Sequence, residues 1–204
     1  MKTIISIIVL IVIIVLGFMF FYMRGPDISQ FQHLKDPRIV NMPDQKMVEV
    51  KATGDPNIVG GKAFGLLFNV YYKIDGVPKG PRQPAPRARW PMSLETPKGE
   101  WVGLYAMPVP ESTSELPEIQ PEAGLELSLA TWKYGEVAEI LHVGPYSAEQ
   151  PTVHRLIDYI HQQGYEIVGD HEEEYIKGPG MFGKDDPEKY LTIIRYRVSK
   201  STGH

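Results

Sequence analysis

The chain has 204 residues, 43% of them hydrophobic, a formal net charge of −4 and no cysteine. The missing cysteines exclude a disulfide scaffold, a thiol nucleophile and a thiolate metal site. The acidic balance argues against nucleic acid as a partner, because phosphate binding needs a basic face.

The first element is apolar throughout. From Thr3 to Tyr22 the run TIISIIVLIVIIVLGFMFFY carries no charge. As a helix it would span about 30 Å, the thickness of a bilayer's hydrocarbon core. A cleaved leader would have a shorter apolar run and a small-x-small site. Here the run ends in Phe18, Met19, Phe20, Phe21 and Tyr22, bulky residues that suit an interfacial belt. The sequence therefore predicts an uncleaved single-pass membrane anchor over residues 1–23. Its orientation stays open, with Lys2 on one side and Arg24, Lys35 and Arg38 on the other. Residues 24–44 hold Pro26, Pro37 and Pro43 without periodicity and read as a linker.

Residues 45–200 read as one domain. A strand-like VEVKATGDP begins near Lys46, followed by the apolar GGKAFGLLFNVYYKIDG. That stretch suits a buried helix, although its two tyrosines and Val70 also tolerate a strand. The basic, proline-rich run Val77 to Arg89 reads as a solvated hairpin loop, with lipid-headgroup contact as the weaker alternative. Strands are predicted around Trp90 to Glu95 and Trp101 to Val109. An acidic connector, PESTSELPEIQPEAG, follows. Next come a strand at Gly135 to Val143 and an amphipathic helix with Val153, Leu156, Ile157 and Ile160 at helical spacing, stopped by Gly164. Strand-like runs from Tyr165 to Lys177 and Tyr190 to Val198 complete the chain.

The two halves match in order and punctuation. VEVKATG lies against AEILHVG, which sets Glu49 opposite Glu139 and Gly54 opposite Gly144. WVGLYAMPV lies against LTIIRYRV. The predicted fold class is α+β: a transmembrane helix, then a duplicated β-α-β-β domain with two helices packed on an antiparallel sheet. The repeats run from about 46 to 109 and from about 125 to 198.

The run LHVGPYS, the helix opening on Gln150 and Pro151, then HEEEYIKGPG and TIIRYRV, resemble the GyrI-like, or bacterial effector-binding, superfamily. The likeness covers Lys46 to Val198 and is stronger in the second half. The family's signature, a glutamate two residues before a tyrosine and a proline four residues after it, falls on Glu173, Tyr175 and Pro179. Its glycine-x-tyrosine element falls on Gly144 and Tyr146. The resemblance implies a cleft between the halves, a glutamate at its base, aromatic walls, and a cationic or aromatic ligand. It also implies that some relatives hydrolyse strained cyclopropane-type alkylating agents with the same groups. There is no helix-turn-helix segment, so the family's transcription-factor role is not carried over.

Strand alternation puts His171, Glu173, Tyr175 and Lys177 on one face and Glu172, Glu174 and Ile176 on the other. From the residues alone, a solvated acidic face paired with Lys177 or Arg195 is the better reading. The resemblance reverses that for Glu173 and leaves Glu172 and Glu174 as they were. The ligand-binding candidates are Glu173, Tyr175, Tyr146, Tyr105 and Trp90, with Trp101 a further wall aromatic and Trp132 a plug at the sheet's end. His154 and His161 stand seven residues apart, too far for one ion, so no metal site and no cofactor are expected. Ser147 to Gln150 fits a helix-capping pair, and no Ser-His-Asp nucleophile pattern is present. The leading expectation is a membrane-tethered module binding an amphipathic or cationic small molecule, with no residue assigned to catalysis. The alternatives are a hydrolase of electrophilic small molecules with Glu173 as base, and a membrane receptor for a protein partner.

Overall fold

The structure, a computed structural model, describes residues 28–92, 96–179 and 186–201. The anchor predicted over Thr3 to Tyr22 lies outside the described residues. Among the described residues no helix is long and apolar enough to cross a membrane.

One antiparallel sheet carries two helices. Its strands are β1 (Arg38–Met42), β2 (Gln45–Thr53), β3 (Arg87–Trp90), β4 (Val102–Pro108), β5 (Leu125–Trp132), β6 (Gly135–Val143), β7 (Tyr165–Ile167), β8 (His171–Lys177) and β9 (Leu191–Lys200). The helices are α1 (Pro56–Tyr71) and α2 (Gln150–Gln162). The strand order is β1-β6-β9-β8-β3-β4-β2-β5, with β7 pairing only β9. Reading outward from the centre, β3-β4-β2 of the first unit mirrors β8-β9-β6 of the second. Both units therefore have the same strand order about an axis between β3 and β8. The glycines matched in the sequence share a backbone conformation, Gly54 at φ 132° and Gly144 at φ 131°. Each donates its N–H across to the opposite strand's entry, to the carbonyls of Trp101 and Tyr190.

The helices form where the sequence supplies their start signals and apolar faces. Asp55 caps α1 by accepting from the Asn57 amide at 2.9 Å, and Pro56 takes the first position, where its missing N–H costs nothing. Ala63, Leu67, Val70 and Tyr71 of α1 bury against Val48, Val50, Ala88 and Met107. Val153, Leu156 and Ile160 of α2 bury against Ala138, Ile140, Ile194 and Val198. Each buried valine, leucine and isoleucine among these contributes about 1.5–3 kcal/mol, which fixes both helices on one face of the sheet.

Among the described residues of the stretch read as a linker, 28–34 and 38–42 hold regular structure. Ile28–Leu34 form a 3₁₀ helix, and Arg38–Met42 are a strand of the sheet. Met42 faces Gly135 and Gln45 faces Trp132, so one unbroken register runs from the β1–β6 pair into the β2–β5 pair. Pro43 cannot donate to that ladder, so the pair bends there. Asp44 pins the bend, accepting from Lys133 at 2.6 Å and from the Tyr134 amide at 3.1 Å. Since β1 runs into β2 and β5 into β6, the sheet closes on itself through this long bent pair. The segment that opens the second sequence repeat, β5, consequently packs on the first unit.

Two further expectations shift. The strand placed at Trp90 to Glu95 lies instead at Arg87–Trp90, and residues 93–95 are outside the described set. The run Tyr165 to Lys177 is two strands, broken at residues 168–170. Its β8 half pairs with β3 and β9, joining the two units at the centre of the sheet.

Candidate functional site

The sheet's two faces divide the three glutamates of β8. Glu173 sits in register with Ala88 and Ile194, both buried under the helices, so its side chain rises toward the space between α1 and α2. Glu172 and Glu174 face the opposite way and are not solvated. Glu172 is 2% exposed and accepts from Arg89 Nε at 2.8 Å and from the Tyr134 hydroxyl at 3.0 Å. Glu174 pairs with Arg195 and, at 3.5 Å, with Arg87. Arg195 also donates to Glu139 at 2.8 Å, and Arg38 holds the other Glu139 oxygen at 2.7 Å. The Arg89 guanidinium lies 4.0 Å from the Trp132 ring centroid. The basic run read as a solvated loop thus delivers Arg87 and Arg89 into a buried ion-pair network on β3.

On the helix side lies a cavity of about 620 Å³. Its walls include Phe64 and Phe68 of α1, Trp90 of β3, Trp101, Tyr105 of β4, and Tyr146 and Tyr175 from the second unit, with Glu173 and Glu149 as its carboxyl groups. All five candidates from the sequence, Glu173, Tyr175, Tyr146, Tyr105 and Trp90, meet here, and Trp101 joins them. Trp132 lies on the network face, its indole N–H donating to Glu49 at 2.7 Å. The rings pack edge to face: Phe64 on Tyr105 at 4.9 Å, Phe64 on Tyr175 at 5.7 Å, and Tyr146 on Tyr175 at 5.5 Å. Two glycines make the close packing possible. A Cβ on Gly103 would come within 2.6 Å of the Tyr105 ring, and one on Gly178 within 2.7 Å of the Tyr146 hydroxyl.

Glu173 is 7% exposed and well supplied with donors. Its Oε1 accepts from Trp90 Nε1 at 2.9 Å and faces His171 Nε2 at 3.2 Å, and the Tyr175 hydroxyl also hydrogen bonds to it. The Tyr196 hydroxyl meets His171 Nδ1 at 2.8 Å and holds the ring in place. Burial alone would push the Glu173 carboxyl up, but the hydrogen bonds and charge of His171 outweigh it and the carboxyl is lowered. Burial works against the His171 imidazolium too, yet its bond to Glu173 raises its pKa. Both shifts favour the ion pair.

Glu149 behaves differently. It is the residue that precedes α2, in αR conformation, and its side chain caps nothing. The capping pair expected at Ser147 to Gln150 does not form, because Tyr146–Ala148 make a 3₁₀ turn and Glu149 faces the cavity instead. Its Oε2 is buried without a hydrogen-bond partner, as is the Tyr105 hydroxyl. Burial first, then the neighbouring Glu173 charge, pushes the Glu149 carboxyl up to about 8. Tyr105 is pushed up to about 12 by the same two causes.

Glu149, His171 and Glu173 have ligand-type atoms within 4.8 Å of one another, a donor set that sequence spacing did not show. Histidine and carboxylates are chemically suited to a metal ion. In this arrangement, however, His171 Nε2 and Glu173 Oε1 are committed to each other. Glu149 and His171 are 22 residues apart in sequence, on a helix start and a strand, so only the fold unites them.

No protein-family model matches the chain, and no curated protein matches it by sequence. Solved structures do match, and what they share with this chain is its fold. One is an uncharacterized conserved protein from Listeria innocua, with TM-score 0.67 and 21% identity, covering 86% of this chain and 100% of its own. A hydrolase from the same organism matches with TM-score 0.66 and 19% identity over the same shares. The C-terminal domain of EcmrR matches with TM-score 0.53 and 13% identity, over 81% of this chain and 98% of its own.

Proposed function

We propose that this chain is a small-molecule-binding module that takes an aromatic or amphipathic organic cation in the cleft between its two units. The observation that carries this is the cavity of about 620 Å³, walled by aromatic rings of both units with carboxyl groups at its base. Its size fits a drug-sized ligand. Rings around a cation contribute about 0.5–2 kcal/mol each, depending on desolvation. The apolar run Thr3 to Tyr22 supports a membrane-tethered form of the module. The likeness in fold to the EcmrR C-terminal domain and to a hydrolase from Listeria innocua is consistent with a small-molecule site.

The test is tryptophan fluorescence, since Trp90 and Trp101 line the cleft. The full chain in lipid nanodiscs is titrated with rhodamine 6G, and a saturable change that shrinks in Trp90→Phe and disappears in the Trp90→Phe, Trp101→Phe double variant is expected. Identical, non-saturating traces for all three proteins would reject the reading. Alkaline carbonate washing tests the tether: release of the full chain from membranes would remove it.

A second reading rests on the unlike surroundings of the two carboxyls, Glu173 with three donors and Glu149 with an oxygen buried and unpartnered. Glu149 is raised to about 8 while Glu173 is lowered, the pattern of a proton donor beside an ionised group. That pair suits hydrolysis of an electrophilic ring, with Glu149 protonating the leaving atom and water seated by Glu173. Turnover of a cyclopropane-type alkylating agent, lost in Glu149→Gln, is its test.

A further inference from the structure

Glu173 is the residue to which both strand alternation and the sequence signature point, yet its hydrogen-bonding capacity is already engaged. Trp90, His171 and Tyr175 supply donors to it, and the charge of His171 opposes its own. A ligand cation approaching it gains little that the protein has not already provided. Glu149 is the reverse case: the residue lines the same cavity, and its Oε2 is buried with no partner. Among the described residues, the Tyr105 hydroxyl, on a side chain 1% exposed, is the cavity's other buried side-chain polar atom without a partner. Buried acceptors left bare are rare because desolvation is uncompensated, and such atoms in a cavity are sites a ligand's polar groups fill.

Resting on the cleft-binding reading above, we propose that Glu149 is the ligand-binding carboxylate, and that the ligand is an arylalkyl amine whose ammonium N–H groups donate to Glu149 Oε2 and to the Tyr105 hydroxyl. Glu173, in this assignment, positions the floor. A quaternary or phosphonium cation has no N–H and leaves Glu149 Oε2 unpartnered. The cleft therefore discriminates by donor count as well as by charge.

The amine also shifts a proton. The titratable groups acting on Glu149 or acted on by it are Glu173, His171 and Tyr175 on β8 and Tyr196 on β9. Lys98 lines the same cavity. The carboxyl group, raised to about 8, is mostly protonated at pH 7 and must ionise to pair with the amine.

The experiment uses two probes with one aromatic body, 1-naphthylmethylamine and its N,N,N-trimethyl analogue, on the full chain in nanodiscs. At pH 8 the amine is expected to bind at least tenfold tighter than the quaternary probe. Glu149→Gln should cost the amine about tenfold and the quaternary probe under threefold, and Tyr105→Phe should weaken the amine by a smaller factor. Calorimetry of the wild-type chain at pH 7, in two buffers of different ionisation heat, should count about one proton released with the amine and none with the quaternary probe. This second measurement stands even where a variant does not fold. Equal affinity of the two probes, with no proton released, overturns the Glu149 assignment and leaves the cleft reading intact. Binding of neither probe overturns both. Binding of Zn²⁺ alone, lost in Glu149→Gln, assigns the carboxylates to a metal and overturns the amine.

Discussion

Strand β8 presents three consecutive glutamates to two environments, and each environment balances its charge differently. On one face Glu172 and Glu174 enter a network with Arg87, Arg89 and Arg195, in which nearly every oxygen has a guanidinium partner. On the other face Glu173 has one histidine, an indole and a phenol for company, and Glu149 beside it has an oxygen with nothing. The first face is closed by ions of opposite sign and holds the two units together across β3 and β8. The second is left incomplete where the cavity is. Polar satisfaction thus sets Glu149 apart from the glutamates of β8 better than burial does, since Glu172 and Glu173 are almost equally buried and both have donors.

The largest effect to break this comparison is on the network face. Arg195 bridges Glu139, Glu172 and Glu174, so Arg195→Met leaves three buried carboxylates short of their shared cation. A loss of about 3–5 kcal/mol is expected in chemical denaturation, the scale for breaking a buried pair on one side. A loss under about 1 kcal/mol, the scale of a surface pair, would mean that these charges are solvated and the two faces are alike.

On the cleft face, Glu173→Gln should cost less, about 1.5–3 kcal/mol. The amide cannot serve as counter-ion to His171, and its NH₂ cannot accept from Trp90. An isolated buried carboxylate behaves in the opposite way, and neutralising it holds or raises stability. That holds only for a carboxylate without donors, and Glu173 has three. Thermal and urea unfolding of the variant decide it, with unchanged stability counting against the ion pair.

Strand alternation and the repeat pattern made the two-unit sheet and the facing of Glu173 legible, because period two and glycine punctuation are local signals, whereas the cleft was implied only by the family resemblance. Arg87 and Arg89 were misread since proline-rich flanks hid a strand of four residues. The alternation was nevertheless present, with Ala88 and Trp90 going to the helix side and the two arginines to the other. β1 was missed for the same reason, a short strand between Pro37 and Pro43. Glu149 carried no readable signal. A glutamate before a helix ordinarily acts through its charge near the helix start, and only the fold reveals that this one turns into a cavity.

The pH dependence of stability sharpens the contrast between Glu149 and Glu173. Glu149 titrates near 4.5 when unfolded and about 8 when folded, so between those values the native state binds more protons. Stability falls as pH rises through that window, by up to about 1.4 kcal/mol per pH unit at its steepest. His171, raised by Glu173, contributes in the same sense: its stabilisation is full below about 6.5 and is lost as pH rises through its folded value. Glu173, lowered, acts in the acid range instead, where its contribution is lost as pH falls. Melts of Glu149→Gln from pH 5 to 8 should therefore decline less than those of the wild type. Parallel curves would show that Glu149 is ionised throughout.

The smallest expected effect concerns the wall rather than the charges. Helix α1 carries Gly60, Gly61 and Gly65, although glycine costs a helix interior about 1 kcal/mol relative to alanine. The three positions differ in what a methyl group would meet. Gly60 and Gly61 line the cavity, and a Cβ on Gly60 would stand 3.5 Å from the Tyr105 hydroxyl. Gly65 is exposed, lies off the cavity and has open space around it. Gly65→Ala should stabilise the chain by about 0.5–1 kcal/mol and leave cleft affinity unchanged. Gly60→Ala should gain similar helix stability while narrowing the approach to Tyr105, so its ligand affinity should fall. Measured side by side by thermal unfolding and fluorescence titration, the pair separates propensity from room for a ligand. If Gly60→Ala gains stability and also keeps its affinity, the glycine face of α1 is not there to make space, and the cleft's ligand must sit against the second unit.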